Sequence, residues 1–170
     1  MKIIEEIEKY KKNIKNIKTI SLCMMTMNNE EDIEKCIKSV IPIIDEIVIV
    51  DNGSTDKTIK ICKSYGAKII NNTWEDDYSK PRNIGIKACK GDWILRLDPD
   101  EYIENEETLF NIYKMVSGSK DVMAFLFPIL NLLKKQEEIK NDNDWALSET
   151  CRIFRRRDDI YYQGLVHEEI

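Results

Sequence analysis

Residues 48–58, VIVDNGSTDKT, contain the transition that decides the fold. An apolar run stops abruptly at Asp51, a glycine turn and hydroxyls follow, and helix-forming sequence resumes within a few residues. A hairpin would need only the turn. A buried strand that surfaces at a carboxylate and restarts as a helix marks the rim of a ligand cleft in an open α/β sheet.

Outward from this point the chain alternates. Upstream, TISLCMM (19–25) reads as a strand and EEDIEKCIKSVI (30–41) as a helix with Ile33, Cys36, Ile37 and Val40 on one side. EIVIV (46–50) is a buried strand. Downstream come a helix over DKTIKICKSY (56–65) closed by Gly66, a strand over AKII (67–70), a helix over KPRNIGIKAC (80–89) and a strand over DWILRL (92–97). Strands and helices alternating at short intervals predict a mostly parallel, Rossmann-like sheet flanked by helices. Past residue 100 the pattern loosens into a helix over EETLFNIYKMV (106–116), an apolar strand over VMAFLFPIL (122–130), a charged loop over KKQEEIKNDND (134–144) and a strand over TCRIFRR (150–156).

Ahead of this domain, MKIIEEIEKYKKNIKNIK (1–18) places Ile3, Ile7, Tyr10, Ile14 and Ile17 on one helical face. Its six lysines and three glutamates give it a positive charge opposite to that of the whole chain. Lacking Trp and Phe, it makes a poor membrane anchor, and docking on protein is expected. The division is therefore an N-terminal amphipathic helix, 1–18, and one domain, 19–170. The last residues, GLVHEEI, carry no polar tail, the ending expected of a piece of a longer protein.

A chain of 170 residues suffices for one domain with a real core, and 42% hydrophobic content excludes disorder throughout. The net charge of -5 argues against a nucleic-acid partner. Five cysteines lie scattered in apolar segments without a C-x-x-C pair, so they read as small buried thiols of a cytoplasmic protein. No apolar run reaches the length of a membrane span.

The sharpest chemical signal is LRLDPDEYI (95–103). Asp98 and Asp100 stand two apart at a strand end, where side chains project to the same side, and Pro99 keeps Asp98 extended. Two adjacent carboxylates call for a positive charge between them, and a hard divalent cation supplies it. An acidic surface turn is the competing reading of an isolated D-x-D. In SKPRN (79–83) Pro81 suits a first helical turn, so Arg82 lies near a helix N-terminus, a place for an anion such as a diphosphate. A salt bridge with Asp76 or Asp77 is its alternative. No G-x-x-x-x-G-K-[ST] or G-x-G-x-x-G sequence is present, which counts against a P-loop and a dinucleotide fold.

SLCMMTMNNEEDIEKCIKSV, then DEIVIVDNGSTDKT, then YSKPRNIGIKACKGDWILRLDPDE closely resembles glycosyltransferase family 2, over residues 19–103, with an echo at FRRRDDIYYQGLVHE. The resemblance implies a GT-A fold, a nucleotide-sugar donor with a UDP-sugar first, a divalent metal (Mg2+ or Mn2+) and transfer with inversion. It also implies roles: Thr26 and Asn28 line the nucleotide pocket, Asp51 holds base or ribose, and Gly53 and Ser54 serve as turn and helix cap. Arg82 contacts the donor, Asp98 meets ribose or a metal water, and Asp100 contacts the metal. His167, the single histidine, resembles one that returns to the metal in related enzymes. No E-D pair stands where many members carry the general base, leaving Glu149, Glu168 and Glu169 as candidates. Trp74, Tyr78 and Trp145 are aromatics able to stack on a sugar, whereas Trp93 within a strand reads as core.

The acceptor is a protein, a lipid-linked sugar or a polysaccharide, without a choice among them. A nucleotidyltransferase is the enzymatic rival, although TMNNEED is acidic where such enzymes carry a basic glycine-rich loop. A receiver-like metal-binding domain is the non-enzymatic rival and leaves Arg82 and the D-x-D unexplained. A donor-binding fragment without turnover is the third.

Overall fold

A computed structural model describes residues 2–14, 17–132 and 145–166. Six strands form one sheet in the order β3-β2-β1-β4-β6-β5: β1 Ile20–Thr26, β2 Glu46–Asp51, β3 Lys68–Asn71, β4 Trp93–Arg96, β5 Ala124–Leu132 and β6 Trp145–Arg155. The helices are α1 Lys2–Asn13, α2 Ile33–Val40, α3 Thr58–Ser64, α4 Ser79–Ala88 and α5 Glu106–Gly118. The mostly parallel sheet flanked by helices is the architecture the alternation predicts. The first four strands are parallel, and β6 joins β4 antiparallel with β5 beyond it.

Alternation along β1 sorts the core into two layers. Leu22 and Met24 face α1, α2, α3 and α5, joining Ile7, Ile33, Ile37, Cys62, Leu109 and Tyr113. Cys23 faces α4 with Val48, Ile86, Ile94 and Phe154. The N-terminal helix packs on α5, where Tyr10 meets Phe110 and Tyr113 edge-on at 5.8 and 6.1 Å. Trp93 is fully buried and stacks on Phe125 at 5.5 Å, so it is core, as its strand position predicts. Burial raises the thiols of Cys36 and Cys62, as expected of inert buried cysteines.

Several boundaries differ from expectation. α2 begins at Ile33, three residues late, because the segment before it is occupied with loop hydrogen bonds, and Pro42 converts its end into a 3-10 turn over Ile41–Ile43. Helix α3 begins at Thr58; its first turn is served by the Asp56 carboxylate, which accepts the Thr58 amide at 2.9 Å. Ser54 is therefore not the helix cap the resemblance implies; its hydroxyl accepts the Asn28 amide instead. β6 starts at Trp145, before the expected 150, because β5 pairs with it along its whole length. The charged segment 134–144 lies outside the described residues.

Two glycines set how closely the layers approach. A Cβ on Gly85 of α4 would lie 2.6 Å from Cys23 Sγ, and one on Gly91 would lie 2.6 Å from Ser21 Oγ. α4 can therefore lie against β1 and β2, which brings its first turn, with Arg82, to the edge where the parallel strands end.

Candidate functional site

β1 pairs with β2 on one side and β4 on the other, so the chain reverses its direction of growth between β1 and β4. Open α/β sheets bind ligands in the crevice outside the carboxyl ends of strands at such a reversal. Thr26 and Asp51 are register partners at the ends of β1 and β2. Asp98 follows two residues after β4 ends. Thr26, Asp51 and Asp98 stand at this edge, with Asn28 and Asp100 in the loops that follow the strands.

On the β1–β2 side, two loops are laced together. Asn28, at φ 55, donates its amide to Ser54 Oγ at 3.0 Å, and its side-chain oxygen accepts the Thr55 amide at 2.8 Å. The Asn29 amide donates to Thr58 Oγ1 at 2.7 Å, and the Glu30 amide to Asp56 Oδ2 at 3.0 Å. Thr26 is buried and its hydroxyl donates to Asn29 Oδ1 at 2.8 Å. Both Asp51 oxygens accept the Ser54 amide, at 3.0 and 3.3 Å. The left-handed turns at Asn28 and at Gly53, φ 104, let both loops double back. Asp51 thus sits buried at the floor of a rigid two-loop wall.

Beyond β4, an ionic cluster forms that the sequence reading did not contain. Arg82 donates through Nη1 and Nη2 to Asp98 Oδ1, both at 3.2 Å, and Arg96 Nη2 lies 3.0 Å from Asp98 Oδ2. Arg152 of β6 lies 3.6 Å from the same oxygen and donates to Glu101 Oε1 at 2.5 Å. Arg82 is therefore bound to Asp98, not to Asp76 or Asp77, and 6% of its side chain is exposed. Three buried or nearly buried guanidiniums surround one carboxylate.

Asp98 and Asp100 lie in a turn past the strand, not within it. The turn is closed on itself: the Asp98 amide donates to Glu101 Oε2 and the Glu101 amide to Asp98 O, each at 3.0 Å. Asp98 faces the arginines, whereas Asp100 is exposed. Burial, with Asp98 and Asp100 close by, pushes the Glu101 carboxyl up to about 7 against the pull of nearby guanidiniums.

Arg96, Glu101 and Arg152 are the site residues that sequence reasoning missed. Arg96 left a signal, as the one charge in the otherwise apolar run WILRL (93–97). Arg152 left none, since its partner Glu101 stands 51 positions earlier.

The final described segment lies along the start of α4. The Tyr78 amide donates to Leu165 O at 3.0 Å, Ser79 Oγ to Gly164 O at 2.5 Å, and Asn83 and Tyr162 exchange two bonds. His167, Glu168 and Glu169 lie outside the described residues. Glu149 is on the β5–β6 ribbon, opposite Pro128. Trp74 and Tyr78 meet edge-on at 4.8 Å in the loop between β3 and α4, and Trp145 begins β6.

Among the described residues, no group of three or more His, Cys, Asp or Glu side chains is clustered as a metal cage, and no helix is long and apolar enough to cross a membrane. Mg2+ in nucleotide sites takes one or two carboxylates and fills its remaining positions with phosphate and water oxygens. The exposed Asp100, beside the anchored Asp98, fits that requirement.

Known proteins resemble this chain in sequence and in fold. The family model for glycosyl transferase family 2 matches residues 21–129. A TPR repeat-containing protein of Synechococcus elongatus is 34% identical over 148 residues, covering 86% of this chain and 34% of its own length. The crystal structure of S. aureus TarS in complex with UDP-GlcNAc aligns with a TM-score of 0.52 and 30% identity over 59% of this chain and 31% of that one. M. tuberculosis glucosyl-3-phosphoglycerate synthase in complex with Mn2+ and UDP-glucose aligns with a TM-score of 0.54 over 71% of this chain and 45% of that one; at 22% identity this likeness is one of fold. The chain spans about a third of the length of the curated relatives it matches. The family model spans more than half of the chain, and the chain belongs to glycosyl transferase family 2.

Proposed function

We propose that this chain binds a UDP-sugar and a divalent cation and transfers the sugar, with inversion, to an acceptor hydroxyl or similar nucleophile. One observation carries the reading: a buried carboxylate (Asp51) and an anchored D-x-D turn (Asp98, Asp100) follow strands on either side of the reversal of strand order. The TarS and glucosyl-3-phosphoglycerate synthase complexes, with UDP-GlcNAc and with Mn2+ and UDP-glucose, support the choice of donor and metal.

In this reading Asp51 accepts from the base or ribose, within the wall that Thr26 and Asn28 stiffen. Asp100 holds the cation, with His167 as a second protein ligand. When bound, the cation supplies positive charge to the departing diphosphate. Asp98, held by the arginines, orients the turn and meets the ribose. Arg82 steadies Asp98 and adds positive potential to the diphosphate side. A carboxylate takes the acceptor proton on the opposite face of the sugar, with Glu168, Glu169 and Glu149 as the candidates. A protein, a lipid-linked sugar or a polysaccharide would serve as acceptor, and the cytoplasm as location.

Calorimetric titration with a panel of nucleoside diphosphates, with Mn2+ and with chelator, tests the reading. UDP should bind, and bind more tightly with Mn2+. Absence of binding by every nucleoside diphosphate with metal would remove the donor site from this chain.

A further inference from the structure

We infer that Arg152, through Glu101, is a positioning residue that holds the D-x-D turn in its metal-binding shape; the inference rests on the proposed nucleotide and metal site. Three guanidiniums reach the turn, but they do not serve it alike. Arg82 and Arg96 meet Asp98, at 3.2 and 3.0 Å. Arg152 lies only 3.6 Å from Asp98, and its short contact, 2.5 Å, is with Glu101.

Glu101 in turn closes the loop on which Asp100 rides. One of its oxygens takes the Asp98 amide and the other takes Arg152. The side chain is 19% exposed, so its ionised form needs a cation beside it. Without Arg152 that carboxylate would turn outward, and the closing bond at the Asp98 amide would weaken. Among the described residues no hydrogen bond or ion pair anchors the Asp100 side chain, which stands exposed at the turn's apex. Its direction is thus inherited from its neighbours.

Arg152 is also placed for this task by the sheet. Ile153 pairs with Leu95, so the preceding residue lies beside the carboxyl end of β4, where the turn begins. The antiparallel ribbon of β5 and β6 thereby acquires a connection to the site that its position at the sheet edge would not otherwise give it.

Charge and position predict opposite signs, which makes the inference testable. Removing a cation near a divalent metal should, by Coulomb's law alone, tighten metal binding. Removing the residue that holds the turn should weaken it. The measurement is Mn2+ affinity in the presence of saturating UDP, with unfolding by urea followed in parallel. Arg152→Met should weaken Mn2+ about tenfold or more, by the loss typical of a ligand's supporting residue. Arg152→Lys should recover part of that loss, and Glu101→Gln should reproduce it. The double variant should lose no more than the weaker single one, because the pair acts as a unit. Metal affinity equal to or tighter than wild type in folded Arg152→Met overturns the inference. If Arg152→Met does not fold, wild-type affinity in both Arg152→Lys and Glu101→Gln overturns it. Wild-type protein that binds no UDP with Mn2+ would instead overturn the donor-site reading, a distinct result.

Discussion

Asp98 and Asp100 differ by two positions in the chain and by nearly everything in their surroundings. Asp98 is 27% exposed and shared by Arg82, Arg96 and Arg152, whereas Asp100 faces solvent. Asp98→Asn would leave guanidiniums facing a neutral amide, a loss of about 3 kcal/mol at the lower end for breaking a buried pair, because the carboxylate is partly wet. Asp100→Asn should stay within about 0.5 kcal/mol of wild type, as an exposed substitution does, while abolishing the Mn2+ enhancement of UDP binding. Urea unfolding curves of the two variants check this; equal destabilisation would mean that Asp100 also has a structural partner. The sequence displayed both aspartates and Arg82, since polar residues at strand ends stand out against apolar runs. It could not display that Asp98 spends its charge on three arginines, because those come from α4, β4 and β6, and only folding brings them together.

Among the elements, the β1, β2 and β4 strands were legible because each is buried on both faces and reads as a continuous apolar run. β6 was seen only in its second half: Trp145–Thr150 lies on a two-stranded ribbon where burial is slight, so no apolar pattern marks it. The strand starts are tied by a residue no motif indicated. Glu46 accepts from the Ser21 hydroxyl, from the Lys90 amide, and from the Gly91 amide at 3.1 Å, joining β1, β2 and the turn before β4. Burial alone would raise its carboxyl, but these donors outweigh burial and hold it below the usual range. A carboxyl lowered in the folded state contributes stability that is present above its unfolded pKa and lost as pH falls through the folded one. Glu46→Gln should therefore cost about 1–3 kcal/mol near neutrality. The variant should also lose less stability than wild type on acidification from about pH 5 to pH 3. Parallel slopes for both proteins in chemical unfolding at those pH values would show that the carboxylate is not titrating with folding.

At the scale of the molecule, the proposed donor site is a seam between two structural arms. One arm, β1 to β3 with its laced loops, carries Asp51; the other, β4 with β6 and β5, carries the D-x-D turn and its arginines. A ligand reaching only the first arm and one reaching both should leave different traces. Uridine, with base and ribose alone, has chemistry for Asp51; UDP with Mn2+ has chemistry for Asp100 as well. Amide hydrogen exchange separates the two. Uridine should slow exchange at residues 27–30 and 53–57 and leave 98–101 unchanged, whereas UDP with Mn2+ should slow both groups together. Saturation at a hundredfold excess over the dissociation constant should also add about 2.7 kcal/mol to global stability by mass action. A response to UDP with Mn2+ confined to 27–30 and 53–57 would mean that the diphosphate does not cross the seam, and the D-x-D turn would then be an acidic surface turn after all. Slowing at 98–101 that also occurs with Mn2+ alone would place the metal on the turn before the nucleotide arrives, with Asp100 sufficient to hold it.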